Sequence, residues 1–123
     1  MIYPPRLNLA TLPTPLVKLS RFSERLGGVN LWIKRDEMTG VEVSGNKIRK
    51  LEFLLAAAKE NNSTTVITFG GFGSNHALAT AINCKKLGLH CVAVLTPEPA
   101  TDAVRNTLRY HQLLGTQIEI AHT

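Results

Sequence analysis

Apolar side chains recur from Asn46 at Ile48, Leu51, Leu54, Leu55 and Ala58, the spacing of a helix with one buried stripe. The run "TTVITF" (Thr64 to Phe69) then reads as a short β segment. In "GGFGSNHALATAINCKKLG" a glycine loop leads into a helix of small residues that Gly88 closes. "HCVAVLT" is the next strand and "TDAVRNTLRYHQLLG" the next helix, with Thr101 or Asp102 as its cap and Gly115 after its end. "TQIEIA" closes as a strand. Upstream, "NLWIKRD" alternates apolar and polar positions after Gly27 and Gly28 and reads as a strand. Residues 1–20 hold four of the six prolines, Pro4, Pro5, Pro13 and Pro15. Proline restricts its own backbone and that of its predecessor, so this segment should be extended and irregular, draped over the rest.

Strands alternating with helices predict an α/β fold: right-handed βαβ crossovers and a parallel sheet with flanking helices on both faces. The organisation expected is a proline-rich arm over residues 1–28 and an α/β portion over 29–123. In such sheets ligands sit beyond the carboxyl ends of strands, where the following loops converge. The loop after "VITF" is "GGFGSNH", the most glycine-rich stretch of the chain.

Composition narrows the function classes. With 44% hydrophobic and 19% charged residues in 123, the chain can bury the core of one small domain. The net charge of +5 is spread from Arg6 to Arg109 with no dense run and no interleaved aromatics, which argues against nucleic acid as a partner. Cys84 and Cys91 form no disulfide framework and have no histidine at zinc-finger spacing, so neither a disulfide nor a metal site is indicated. The start "MIYPPRLNLATLP" lacks a signal-peptide layout, and no window approaches the roughly 18 apolar residues of a membrane span, so the expected setting is cytoplasmic, with no membrane partner.

Two stretches carry candidate chemistry. "GGFGSNH" can be a tight turn whose glycines accommodate positive φ, with Ser74 or Asn75 capping the next helix. Equally, its free amides and the Ser74 and Asn75 side chains can bind a carboxylate or other anion at a helix start. It is no dinucleotide fingerprint, because His76 stands where the third glycine belongs. The other stretch, "SGNKIRKLEFLLAAAKE", opens a helix with Lys47, Arg49 and Lys50, although the positive end of a helix favours acids. Lys47 and Lys50, three residues apart, share a face while Arg49 points elsewhere. A ligand with an aldehyde for one amine and a phosphate for the other would suit this pair. Pyridoxal phosphate fits that description without being singled out by it.

The stretch "WIKRDEMTGVEVSGNKIRKLEFLL", with "LPTPL" before it and "FGGFGSNHA" after it, resembles the D-cysteine desulfhydrase and 1-aminocyclopropane-1-carboxylate deaminase family. These are pyridoxal-phosphate enzymes of the tryptophan-synthase-β fold (fold type II). The resemblance runs from about Pro5 to Ile120. It implies that Lys47 is the Schiff-base lysine and the base, and that Lys50 is the phosphate partner. It also implies that Ser74 and Asn75 take the substrate carboxylate, with Ser74 a catalytic residue besides and Asn75 beside the cofactor ring. His76 is read mainly as a helix-start histidine satisfied by backbone, with a part in substrate binding or catalysis as the alternative.

Three positions depart from the family's usual pattern: Ser44 in place of a glycine, Gly73 in place of a glutamine before "SNH", and Leu78 in place of an arginine after it. Loss of the amide side chain at 73 should remove a contact near the ring or a support for the loop. Family members also continue into a second domain. The reading is therefore the N-terminal portion of a pyridoxal-phosphate-dependent lyase or deaminase acting on a small amino acid. The chain alone is expected to be inactive, with a missing C-terminal domain or a second copy of itself as partner. The alternative is a truncated non-catalytic α/β domain that serves as a binding or assembly module.

Overall fold

A computed structural model describes residues 4–40 and 45–121. The departure at Ser44 lies outside the described residues. In chain order the elements are β1 (Leu16–Lys18), α1 (Ser20–Arg25), β2 (Trp32–Lys34), a 3₁₀ turn (Asp36–Thr39), α2 (Lys47–Glu60), β3 (Thr65–Gly71), α3 (Asn75–Leu87), β4 (His90–Thr96), α4 (Asp102–Leu114) and β5 (Gln117–Ile120).

The α/β expectation holds. Strands β3, β4 and β5 pair in parallel in that order, with Thr65 opposite His90 and Val92 opposite Gln117. Side chains alternate across the sheet, so Thr68, Cys91, Ala93 and Leu95 point into the core, with the partly buried Val66 and Ile118 beside them. Helix α3 packs on β3 and β4, with α2 and α4 against its sides. It is therefore buried nearly all round, and its side chains are small: Ala77, Ala79, Thr80, Ala81 and Cys84. Buried hydroxyls on these helices bond the preceding turn, Thr80 Oγ1 to the His76 carbonyl at 2.9 Å and Thr107 Oγ1 to the Ala103 carbonyl at 3.0 Å.

The caps follow the sequence. Ser74 Oγ accepts from the Ala77 amide at 3.2 Å and Thr101 Oγ1 from the Val104 amide at 3.3 Å. Gly88 and Gly115 end α3 and α4 in the left-handed conformation, with φ of 70° and 72°.

Four expectations need correction. Flanking helices on both faces are not found among the described residues: Ile67 (59% exposed) and Phe69 (67%) project from a bare face. Right-handed crossovers that step repeatedly in one direction lay every helix on the same side, and β3, β4 and β5 never reverse direction. The arm is also more regular than its prolines suggest. It contains α1 and β1, and β1 pairs antiparallel with β2 in a ribbon separate from the parallel sheet.

On α2 the buried set is Ile48, Leu51, Glu52, Leu55 and Ala56, while Leu54 is 58% exposed. The stripe is thus rotated towards Glu52, whose partners come from the arm. Finally, β3 extends through Gly70 and Gly71, and none of Gly70, Gly71 and Gly73 has positive φ. These glycines serve close approach. A Cβ on Gly70 would collide with the Ser74 side chain, and one on Gly71 with the Glu98 carboxylate.

Candidate active site

Helix α2 is anchored from outside the site. Arg49 grips Asp36 with both arms of its guanidinium, Nη2 to Oδ1 at 2.8 Å and Nε to Oδ2 at 3.1 Å, and also donates to Thr14 Oγ1 at 3.1 Å. This fork holds the Asp36 carboxyl below its ordinary value. It also ties the arm, the 3₁₀ turn and the first turn of α2 together, so Arg49 points away from Lys47 and Lys50 as expected.

One turn further along, Glu52 is fully buried. Its Oε1 accepts from the amides of Leu9 at 3.0 Å and Ala10 at 2.9 Å, and Oε2 pairs with Arg6 at 2.6 Å. Burial alone would push this carboxyl up, but the amides of Ala10 and Leu9 and the Arg6 charge together hold it below its ordinary value.

Lys47 and Lys50 contrast with both. Lys47 is the first residue of α2, and its Nζ donates to Asn46 Oδ1 at 3.0 Å. Among the described residues no carboxylate pairs with either lysine, and no acid stands in the first turn of α2.

The second motif is brought to the same place. Ser74 is the cap of α3, Asn75 is its first residue with an exposed side chain, and His76 follows. Helices α2 and α3 pack on each other. Burial lowers the His76 pKa, and the charges of Lys50 and Lys47 lower it further. The reading of His76 as satisfied by backbone is not met: its Nδ1 is buried with no hydrogen-bond partner.

The loops after β3 and β4 also converge, as parallel sheets require. The Phe72 amide donates to the Thr96 carbonyl at 3.0 Å, and the Gly73 amide donates to Glu98 Oε2 at 2.7 Å. Glu98 and the Arg49–Asp36–Thr14 node escaped sequence reasoning. "TPEP" follows β4, and the rule that singled out the loop after β3 would equally have pointed to Glu98. At position 73, where no side chain is present, the backbone amide meets the Glu98 carboxylate. A concavity lined by Arg21, Phe22, Glu24 and Arg25 lies on α1 and includes none of these residues.

Two amines with no acid partner among the described residues, an unpartnered buried imidazole nitrogen and a glycine loop with a carboxylate already seated on its amide would suit a ligand with electrophilic and anionic groups. The donor set fits pyridoxal phosphate. The chain belongs to the pyridoxal-phosphate-dependent enzyme family, whose model matches residues 7–122. Within that family it is 46% identical over 120 residues to D-cysteine desulfhydrases of Salmonella paratyphi B and Salmonella newport, across 94% of this chain and 36% of each relative. Among solved structures it is similar to an ACC deaminase homologue, with a TM-score of 0.82 and 35% identity over 98% of this chain and 36% of that one. The chain thus spans about 36% of the length of the relatives it matches, and its architecture is the N-terminal part of fold type II.

Proposed function

We propose that the chain supplies the cofactor-anchoring part of a lyase or deaminase that acts on a small amino acid, of the D-cysteine desulfhydrase or 1-aminocyclopropane-1-carboxylate deaminase type. The observation that carries this reading is that Lys47 and Lys50, with no acid partner among the described residues, open a helix packed on α3, where their charges act on His76. Lys47 Nζ would hold the cofactor and, as a free amine, would accept the proton from the substrate carbon, since an amine on the first turn of α2 stays within reach. Lys50 takes the phosphate, in place of the acid absent from that turn. Asn75 would stand beside the cofactor ring. Ser74 and the neighbouring loop amides receive the substrate carboxylate, with His76 beside them. Bound pyridoxal phosphate supplies an electron sink for charge developing on the substrate carbon.

We also place the chain in a reducing cytoplasm, on the strength of its two free buried thiols, Cys84 and Cys91. A second reading, an assembly module without chemistry, rests on the bare sheet face at Ile67 and Phe69.

Borohydride reduction after incubation with pyridoxal phosphate separates the two readings. Selective modification of Lys47, weakened in Lys50→Ala, supports the enzyme reading. Labelling spread over the lysines at random removes it.

A further inference from the structure

Glu98 stands outside every role assigned so far. It projects from the loop between β4 and α4, and its Oε2 accepts from the Gly73 amide at 2.7 Å. The same carboxylate lies where a Cβ on Gly71 would be, with Oε2 2.7 Å from that position. A Cβ on Gly73 would meet Oε2 at 3.2 Å and Val104 Cγ2 at 3.1 Å. Neither glycine has positive φ, so the pair keeps open a space rather than a conformation, and a carboxylate fills that space. No lysine or arginine among the described residues pairs with Glu98, so the Gly73 amide is the polar group that holds it there.

A structural strut and an occupant are distinguishable by their surroundings. Glu52 shows what a strut looks like here: it is sealed from water and bonded through both oxygens. Glu98 is solvent-exposed and bonded through one. An exposed carboxylate held by a single hydrogen bond exchanges readily with another carboxylate of the same geometry.

We propose that Glu98 is a displaceable internal occupant of the carboxylate cradle formed by Gly71 and Gly73, and that it sets how tightly the site accepts a ligand carboxylate. The carboxylate of an incoming amino acid takes over the Gly73 amide as Glu98 swings out into solvent. That the ligand is an amino acid rests on the function proposed above; the occupancy itself does not.

The test uses the full chain labelled with ¹⁵N and follows the Gly73 amide during titration with sodium acetate, against sodium chloride at equal ionic strength. Glu98→Ala empties the cradle, and Glu98→Gln leaves a neutral occupant. The acetate midpoint should fall by about tenfold in Glu98→Ala, the effect of removing a tethered competitor held by one charge-assisted hydrogen bond, with Glu98→Gln in between. Equal midpoints in all three proteins, or weaker acetate binding in Glu98→Ala, would overturn the proposal by making Glu98 a strut. Equal gains in the two variants would overturn it by reducing the effect to long-range charge. Should Glu98→Ala not fold, Glu98→Ser takes its place as the variant that empties the cradle, under the same criteria. Borohydride trapping on the same samples separates the two readings. Selective Lys47 modification with unchanged acetate midpoints sinks only the role of Glu98. Shifted midpoints with unselective modification sink only the cofactor reading.

Discussion

Two turns of the same helix treat charge in opposite ways. In the second turn of α2, Glu52 is 0% exposed, and both of its oxygens are engaged by Leu9, Ala10 and Arg6. In the first turn, Lys47 and Lys50 have no carboxylate among the described residues and stand near His76, whose buried Nδ1 has no partner either. A buried charge is tolerable only when its hydrogen-bonding capacity is met, so Glu52 binds the arm to the helix. Charges left unmatched inside the chain contribute nothing to the fold and are free to meet a ligand. Arg49, between the two lysines in sequence, belongs to the first kind through its fork to Asp36.

The sharpest way to break this contrast is Glu52→Ala, which leaves the amides of Leu9 and the buried Ala10 unpaired and should cost about 2–4 kcal/mol in urea unfolding. Arg6→Ala should cost at most about 1 kcal/mol, because the Arg6 side chain is 47% exposed. Next comes Gly70→Ala, whose methyl takes the space of the Ser74 side chain and displaces the cap of α3. The expected loss is about 1–3 kcal/mol, against about 1 kcal/mol for Ser74→Ala, read as a shift in thermal midpoint.

A third effect is pH-dependent. His111 is wholly buried with neither ring nitrogen bonded, and burial lowers its pKa below the ordinary 6.5. A group whose folded pKa is depressed contributes stability that is complete above the unfolded value. That contribution is lost as pH falls through the folded one, because the unfolded chain then binds the extra proton. Denaturation curves should therefore weaken as pH drops below about 6.5, and His111→Leu should flatten that slope. By the same sign rule the depressed Glu52 pKa should add a second loss below about 4.5, absent from Glu52→Ala.

The smallest effect tests the other half of the comparison. Lys50→Gln should leave stability within about 0.5 kcal/mol, as expected of a side chain with no carboxylate partner among the described residues. The same variant should raise the His76 pKa towards its ordinary value, since the Lys50 charge is one of the causes holding it down. An NMR titration of the His76 ring that showed no change would mean the starts of α2 and α3 do not communicate.

The order of elements from α2 to β5, the caps at Ser74 and Thr101, the glycine stops at 88 and 115 and the parallel arrangement were legible because each depends on residues a few positions apart. The Lys47 and "SNH" motifs were legible as chemistry, and the resemblance they carried agrees with the family shown. The regular structure in the arm was hidden for a different reason. A three-residue strand such as β1 is defined by its partner across the Gly27–Gly28 turn and has no period of its own.

The sequence by itself thus determined the class of fold, its caps and the residue types offered to a ligand, since hydrophobic period and backbone preference act locally. Only the tertiary structure decided which charges are paired. Glu52 meets Arg6 across 46 positions, Glu98 reaches Gly73 across 25, and Arg49 finds Asp36 across 13. No local pattern distinguishes a buried glutamate from an exposed one, or an arginine gripped by a carboxylate from the lysines beside it that meet none among the described residues. That distinction arises when the chain closes and each charge either loses its water to a partner or keeps it.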